Sequence, residues 1–185
     1  PSELYTAFTI TYGGTLIDIQ DISIFINGFK RFLVETDPNA RIIFLGTGYD
    51  RRQKQRIQEL TATISENISI TERMPRQDAF RIMKSSHLLL LVSYNGILGS
   101  PSSKIYDYIG LKKKILLCPS DGEIMEEMVS SVDGIICRDE ESVTKALQTC
   151  HQLIRTAPEQ LAIAPDKAAH YSREYGLQVL AGLIK

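Results

Sequence analysis

The residues best suited to bind a ligand follow two apolar runs that are typical of strands. Gly13, Gly14 and Thr15 end the run FTITY, and Gly46 and Gly48 end the run RIIFL. Glycines directly after a strand let backbone amides approach a phosphate closely, and the helix that follows adds about half a positive charge at its start. The two turns therefore predict a phosphate site. The alternative is that each is only a tight turn between a strand and a helix.

A second candidate segment is SPSSK. Pro101, Ser102 and Ser103 favour the start of a helix, with either serine as its cap, and they place Lys104 in the first turn. A lysine at this end opposes the helix dipole, so a bound anion such as a diphosphate would compensate its charge. The alternative is that Lys104 projects into water or pairs with Asp107 three residues later.

Tyr94 and Asn95 lie between this helix start and the apolar run before it. Their position at the end of a strand would let them face a bound sugar. A tyrosine and an asparagine before a glycine also form a common turn signal, and that alternative stays open.

The elements that position these residues are strands and helices in strict alternation. The apolar runs HLLLLV and KILLC are too continuous for a sheet with one wet face, and they fit parallel strands covered on both sides. The whole pattern predicts an α/β fold with a doubly wound parallel sheet of about six strands. In the usual strand order, 3-2-1-4-5-6, a crevice opens between the first and fourth strands. The glycine turn at 13–15 and the loop at 94–104 would flank it.

Composition excludes several classes of function. The 185 residues suit one ordinary domain, and 21 lysines and arginines nearly balance 22 aspartates and glutamates, so no overall charge would attract nucleic acid. No apolar run is long enough to span a membrane. Three widely spaced cysteines share no ligand spacing with the three histidines, which predicts no metal site. Because the chain starts at Pro1 without a methionine, we expect a piece of a longer protein.

The segment SPSSKIYDYIGLKKKILLCPSDGE resembles one in bacterial GT-B-fold glycosyltransferases that commonly reads Pro-Ser-Lys, aromatic, Glu-Tyr, Ala, Gly-Lys-Pro. The resemblance is to the carboxy-terminal, nucleotide-sugar-binding domain of the large retaining family numbered four, the group 1 type. ITYGGTL is similar to that family's opening strand, ARIIFLGTG to its Ile-Val-Gly-x-Gly strand, and ISITERMPRQD to the segment beside the nucleotide base. This resemblance implies that residues 1–185 form a single Rossmann-like donor-binding domain. The amino-terminal acceptor domain would be absent from this chain.

The resemblance also implies roles for individual residues. Asp107 stands where the family has the second glutamate of a pair, which accepts hydrogen bonds from the ribose hydroxyls. Gly99 stands where the first glutamate would be, so the sugar contact of that carboxylate is absent or replaced. Arg73, Met74 and Pro75 occupy the turn that contacts the base.

The chain departs from the family where the diphosphate is bound. The family has an arginine and a lysine after the first strand, whereas Thr15 and Gln20 occupy the plausible arginine positions here. Sugar transfer builds negative charge on the departing phosphate, and positive groups placed there are usually a large catalytic term. Our hypothesis is that Lys104 is the catalytic cation that replaces the missing pair.

We therefore expect the donor-binding domain of a glycosyltransferase of polysaccharide biosynthesis, inactive without its amino-terminal domain. It would transfer a sugar from a UDP- or GDP-sugar to a glycan or lipid-linked acceptor, without cofactor or metal. Its location would be cytoplasmic, at the inner face of the membrane in the full-length protein. Two alternatives remain: a nucleotide-sugar 2-epimerase of the same fold, which requires acid and base residues around the sugar, and a degenerate, non-catalytic nucleotide-sugar-binding module.

Overall fold

A computed structural model of the protein describes residues 3–97 and 99–172, and beyond them residues 174, 175, 177 and 181. The strands are β1 (Thr9–Gly13), β2 (Arg41–Leu45), β3 (Ile68–Ile70), β4 (Leu88–Leu91), β5 (Ile115–Leu117) and β6 (Ile135–Ile136). The α-helices are α1 (Ser23–Glu35), α2 (Arg51–Leu60), α3 (Arg76–Ser85), α4 (Lys104–Gly110), α5 (Ile124–Ser131), α6 (Glu140–Thr156) and α7 (Pro165–Ala169). Short 3-10 helices cover Ala62–Asn67 and Pro158–Leu161.

The six strands form one parallel sheet in the order β3-β2-β1-β4-β5-β6, which confirms the predicted doubly wound topology. Gly13 of β1 pairs with Leu45 of β2, so the glycine turns after these two strands lie side by side. β3 is a short edge strand that alternates between partly buried and exposed residues, as its sequence pattern indicates. The crevice predicted at the reversal of strand order is thus bordered by β1 and β4.

Two apolar cores cover the sheet. One contains the buried phenylalanines of α1 and the inward face of α6, and the other lies beneath α3, α4 and α5. Gly28 lets α1 and α6 meet closely, because a Cβ atom there would lie 2.6 Å from Cβ of Val143. All three cysteines are free and buried. The two cores hold helices on both faces of the sheet, and they leave the carboxyl ends of β1 and β2 accessible.

The final helix differs from the sequence prediction. The spacing of Tyr171, Tyr175, Val179 and Leu183 predicts a helix that starts near Asp166. In the structure α7 ends at Ala169, residues 170–172 form a turn and a bend, and residues 174, 175, 177 and 181 are helical again. The turn brings the hydroxyl of Tyr171 to 2.7 Å from Oγ of Ser131, so this side chain packs on α5 and does not continue a helical stripe. Val179 and Leu183 lie outside the described residues.

The start of α2 provides a test of local stability. Oδ1 of Asp50 accepts hydrogen bonds from the amides of Arg52 (3.0 Å) and Gln53 (3.2 Å), so Asp50 caps this helix. We expect Asp50→Ala to lower the free energy of unfolding by about 1 kcal/mol, measured by urea denaturation. Asp50→Asn keeps an acceptor oxygen and is expected to retain most of the stability. An equal loss in both variants would assign the effect to charge and not to capping.

Candidate functional site

A cavity of about 580 Å³ opens between α3 and α4 at the carboxyl ends of β1 and β2. Nine of the residues predicted for the site line it: Gly13, Gly14, Thr15, Gly46, Arg73, Met74, Ser103, Lys104 and Asp107. The remaining lining residues were not predicted as site residues from the sequence: Leu45, Arg76, Ala79, Phe80, Met83 and Tyr108. The site therefore joins segments that are far apart in the chain, and its apolar wall comes from α3.

The glycine turns shape this cavity, but their amides are already used. The amide of Gly13 donates to the hydroxyl of Tyr108 (2.8 Å) and that of Gly14 to the carbonyl of Leu45 (2.8 Å). The amide of Gly46 donates to Oγ1 of Thr71 (2.9 Å). The expectation that the amides of residues 13, 14 and 46 would face a phosphate is thus wrong for the structure as it stands, because the sheet and its neighbours engage all three.

Gly14 contributes space and backbone conformation. Its φ of +90° lies in the region that favours glycine, and a Cβ atom there would lie 3.4 Å from Cε of Lys104. A larger residue would strain the turn and press on the lysine. Gly14 thus lets the Lys104 side chain lie directly against the end of β1.

Lys104 is half-buried in the cavity, with its Nζ 5.3 Å from the centre of the Tyr12 ring. Burial lowers the pKa of its ammonium group. Within the described residues, no carboxylate lies within 4 Å of Nζ, and the pairing with Asp107 that was the alternative is absent. The aromatic ring offers only a modest attraction to the cation. Lys104 is thus a partly desolvated positive charge without a counter-charge among the described residues.

The serine caps predicted for α4 do not form. Ser103 precedes the helix with helical backbone angles, φ −58° and ψ −21°, and its side chain caps no amide. A capping residue needs an extended backbone to turn its oxygen towards the first amides, which explains the failure. Oγ of Ser102 is buried and has no hydrogen-bond partner in the part of the chain that the structure describes.

Asp107 has a cationic partner across the mouth of the cavity. Its Oδ1 lies 2.7 Å from Nη2 of Arg76, and the Arg76 guanidinium is 4.8 Å from the centre of the Phe80 ring. Both side chains of the pair are exposed, so the ion pair contributes little stability and can exchange partners. No sequence signal links two residues at this separation. Asp107 can accept hydrogen bonds from a ribose if Arg76 moves or shares it.

Arg73 stacks on Tyr49, a residue that no sequence pattern singled out. The guanidinium carbon of Arg73 lies 3.7 Å from the centre of the Tyr49 ring, a stacked arrangement. The Tyr49 hydroxyl is 3.3 Å from Oγ1 of Thr15. No carboxylate lies within ion-pair distance of Arg73 among the residues described. Within the part of the chain that the structure describes, Arg73 is thus a second lining cation without a counter-charge.

The other predicted residues lie outside the cavity lining: Gly48, Pro75, Tyr94, Asn95, Gly99 and Ser102. The amide of Asn95 donates to the carbonyl of Ile19 (2.8 Å), and the amide of Gly99 donates to Oε2 of Glu123 (3.1 Å). The amide of Gly48 donates to the carbonyl of Thr71 (2.8 Å). Of the loop between β4 and α4, Ser103 thus lines the cavity, whereas Tyr94, Asn95, Gly99 and Ser102 lie outside the lining.

Gln20 stands at one of the two positions where the resembled family would have its arginine. In this chain it is a structural residue. It is 1% exposed, its Nε2 donates to the carbonyl of Val92 (2.9 Å), and its Oε1 accepts from the amide of Ile17 (3.2 Å). These bonds brace the segment between β1 and α1 against β4. Gln20 supplies no charge to the cavity.

In the part of the chain that the structure describes, no three His, Cys, Asp or Glu side chains are grouped so that they would hold a metal ion. No described helix combines the length and the apolar character needed to cross a membrane.

Neither a protein-family model nor a curated protein sequence matches this chain. Its fold is similar to that of Anabaena HepE in complex with UDP-glucose, at TM-score 0.67 and 13% identity, over 96% of this chain and 49% of HepE. It is also similar to the carboxy-terminal domain of a glycosyl transferase group 1 family protein, LpcC, from Francisella tularensis, at TM-score 0.60 and 12% identity, over 91% and 86% of the two chains. The carboxy-terminal CMP-Kdo binding domain of WaaA from Acinetobacter baumannii matches at TM-score 0.57 and 13% identity, over 89% of each chain.

The chain spans about half the length of HepE and most of the length of the two isolated carboxy-terminal domains. At these identities the similarity establishes the fold. It confirms the prediction of a Rossmann-like domain of the kind found in the carboxy-terminal half of GT-B glycosyltransferases. The assignment to the retaining family numbered four remains a prediction.

Proposed function

We propose that this chain binds a nucleotide diphosphate sugar and forms the donor-binding part of a glycosyltransferase. The observation that carries the proposal is the half-buried ammonium group of Lys104, which lies in the cavity without a carboxylate partner among the described residues. A partly buried cation without a counter-charge costs free energy, so its position suits a ligand that brings negative charge. Solved structures with this fold include one with UDP-glucose and one described as a CMP-Kdo binding domain, which supports a nucleotide sugar.

The two ends of the cavity suit the two ends of a nucleotide. Met74, Phe80 and Met83 form an apolar wall that can pack on a base, and Asp107 can accept hydrogen bonds from ribose hydroxyls. Lys104 then faces the diphosphate beside the glycine turn.

In the proposed transfer, the bond between the sugar C1 and the diphosphate oxygen breaks, and the diphosphate leaves with the bonding electrons. The acceptor hydroxyl oxygen forms the new bond to C1, and its proton is released to the surrounding water. Negative charge therefore grows on the leaving group, where a preorganised cation contributes a large part of the catalytic effect. Lys104 is the catalytic residue of this proposal.

The same proposal includes the stereochemistry of the transfer, its acceptor, its donor and its location. The reaction would retain the configuration of the sugar, as in the family numbered four, and would serve bacterial polysaccharide biosynthesis. The acceptor, a glycan or a lipid-linked glycan, would bind to an amino-terminal domain, without which this chain transfers nothing. No cofactor or metal takes part, the donor is a UDP- or GDP-sugar, and the reaction takes place in the cytoplasm or at the inner face of the membrane.

Calorimetric titration of the chain with UDP, GDP and ADP tests donor binding. A clear preference for one of them is the expected result, and it would define the donor class. The absence of heat at millimolar concentrations of all three would contradict the proposal.

A second candidate function is a nucleotide-sugar-binding module that catalyses no transfer. Two observations favour it. Asp107 is already paired with Arg76, and Thr15 and Gln20 stand at the positions where the resembled family would have its diphosphate-binding arginine. Product analysis with the full-length protein separates the candidates. A new glycoside indicates the transferase, whereas donor that stays unchanged indicates the module. An epimerised donor would indicate the 2-epimerase.

A further inference from the structure

Binding of a diphosphate here requires more than one positive group. A nucleoside diphosphate ester carries about two negative charges, because each phosphate loses its first proton well below neutral pH. The amides of Gly13, Gly14 and Gly46 are engaged within the fold, so they leave the charge uncompensated. Lys104 supplies one positive charge. A second must come from another residue of the lining.

Two of the described arginines line the cavity, and their surroundings differ. Arg76 already shares its charge with Asp107, at 2.7 Å. Arg73 has no such carboxylate within the described residues, and its guanidinium lies on the Tyr49 ring. Arg73 is therefore the cation that can bind an anion without first giving up an ion pair.

Lys104 lies directly against the turn at 13–15, and Arg73 is linked to the same turn through Tyr49. Cε of Lys104 lies against Gly14, and Arg73 reaches Thr15, the next residue, through the ring and hydroxyl of Tyr49. An anion above the turn at 13–15 would thus contact an ammonium group from α4 and a guanidinium group from the loop after β3.

We propose that Arg73 is the second diphosphate-binding residue of this site and that Tyr49 is its positioning residue. This inference rests on the proposed function and changes the role expected for Arg73 from base contact to phosphate contact, which leaves Met74 at the base. A guanidinium group binds two phosphate oxygens at once through parallel N–H donors. Stacking on a ring fixes the plane of that fork before the ligand arrives and so reduces the entropy lost on binding.

Calorimetry with three probes tests this role: inorganic pyrophosphate, the preferred nucleoside diphosphate, and the corresponding nucleoside. Arg73→Gln is expected to weaken the binding of both phosphate probes about tenfold and to leave nucleoside binding unchanged. Arg51→Gln, which removes an exposed arginine from the first turn of α2, is the matched control and is expected to change none of the three.

The positioning role of Tyr49 is tested in the same titrations. Tyr49→Leu removes the stacking surface and is expected to weaken the binding of the phosphate probes several-fold, while Tyr49→Phe keeps the ring and most of the affinity. In the Arg73→Gln background, Tyr49→Leu is expected to have no further effect, because Tyr49 acts only through Arg73. A loss in that background equal to the loss in wild type would overturn the positioning role.

The outcomes separate this inference from the proposed function. If Arg73→Gln weakens nucleoside and nucleoside diphosphate equally and spares pyrophosphate, Arg73 contacts the base: the inference is wrong and the proposed function stands. If the wild-type chain binds pyrophosphate through Arg73 but gains nothing from the nucleoside, the anion site stands and the proposed function is wrong. Failure of the wild-type chain to bind any probe would overturn both.

Discussion

Lys104→Met is expected to weaken the binding of a nucleoside diphosphate by at least tenfold and, at the same time, to stabilise the free protein. The ammonium group is half-buried beside Gly14 and has no carboxylate partner within the described residues, so it costs free energy until an anion binds. A tenfold loss of affinity corresponds to about 1.4 kcal/mol. The gain in stability should be about 1 kcal/mol, a common result when an unfavourable functional group is removed.

The control for this variant is Lys84→Met, which removes an exposed lysine from the last turn of α3. It is expected to change neither quantity measurably. Calorimetry gives the affinity, and urea denaturation gives the free energy of unfolding. If Lys104→Met binds the diphosphate as tightly as Lys84→Met does, the catalytic role proposed for Lys104 is wrong.

The difference in the free energy of unfolding between wild type and Lys104→Met should decrease as the pH rises. Because burial lowers the pKa of Lys104 in the folded protein, the unfolded chain holds this proton to higher pH than the folded chain. Stability therefore rises with pH through the interval between the folded and unfolded pKa values. Wild type should approach Lys104→Met in stability as the pH rises through the lowered pKa. Its affinity for the diphosphate should fall over the same range, because a neutral amine attracts no anion.

The sequence predicted those parts of the fold and site that depend on local patterns. The continuous apolar runs of β4 and β5 predicted parallel strands, and their alternation with helices predicted the strand order. The sequence predicted a crevice between the turn at 13–15 and the loop at 94–104, whereas the cavity joins the turn at 13–15 to Gly46, because the parallel register of Gly13 and Leu45 brings these two strand ends together. Local patterns can predict where strand ends meet, because they show which strands are buried and in which direction each strand runs.

The sequence could not show contacts between distant segments. The bond between Gly13 and Tyr108 joins residues 95 positions apart, and the ion pair between Arg76 and Asp107 joins residues 31 apart. The glycine pattern predicted that the amide of Gly13 would bind a phosphate, but this amide donates to Tyr108. The predicted serine caps also failed, because Ser103 has helical backbone angles that its residue type does not reveal.

Tyr108 links the helix that carries Lys104 to the strand that ends at the glycine turn. Its side chain is 1% exposed, and its hydroxyl accepts a hydrogen bond from the amide of Gly13 (2.8 Å) and donates one to the carbonyl of Leu90 (3.2 Å). Burial raises the pKa of this hydroxyl, so it remains a donor. Removing the oxygen would leave a buried amide and a buried carbonyl without this partner.

Tyr108→Phe is therefore expected to lower the free energy of unfolding by about 2–3 kcal/mol, since each buried polar group left unpaired costs roughly 1–3 kcal/mol. Tyr106→Phe, a change to a residue that is 50% exposed two positions earlier, is the matched control and should stay within about 0.5 kcal/mol of wild type. Under conditions where both variants are folded, only Tyr108→Phe should also lose affinity for the diphosphate, several-fold, because α4 would no longer hold Lys104 firmly against β1. Loss of stability without loss of affinity would show that the position of Lys104 does not depend on this bond.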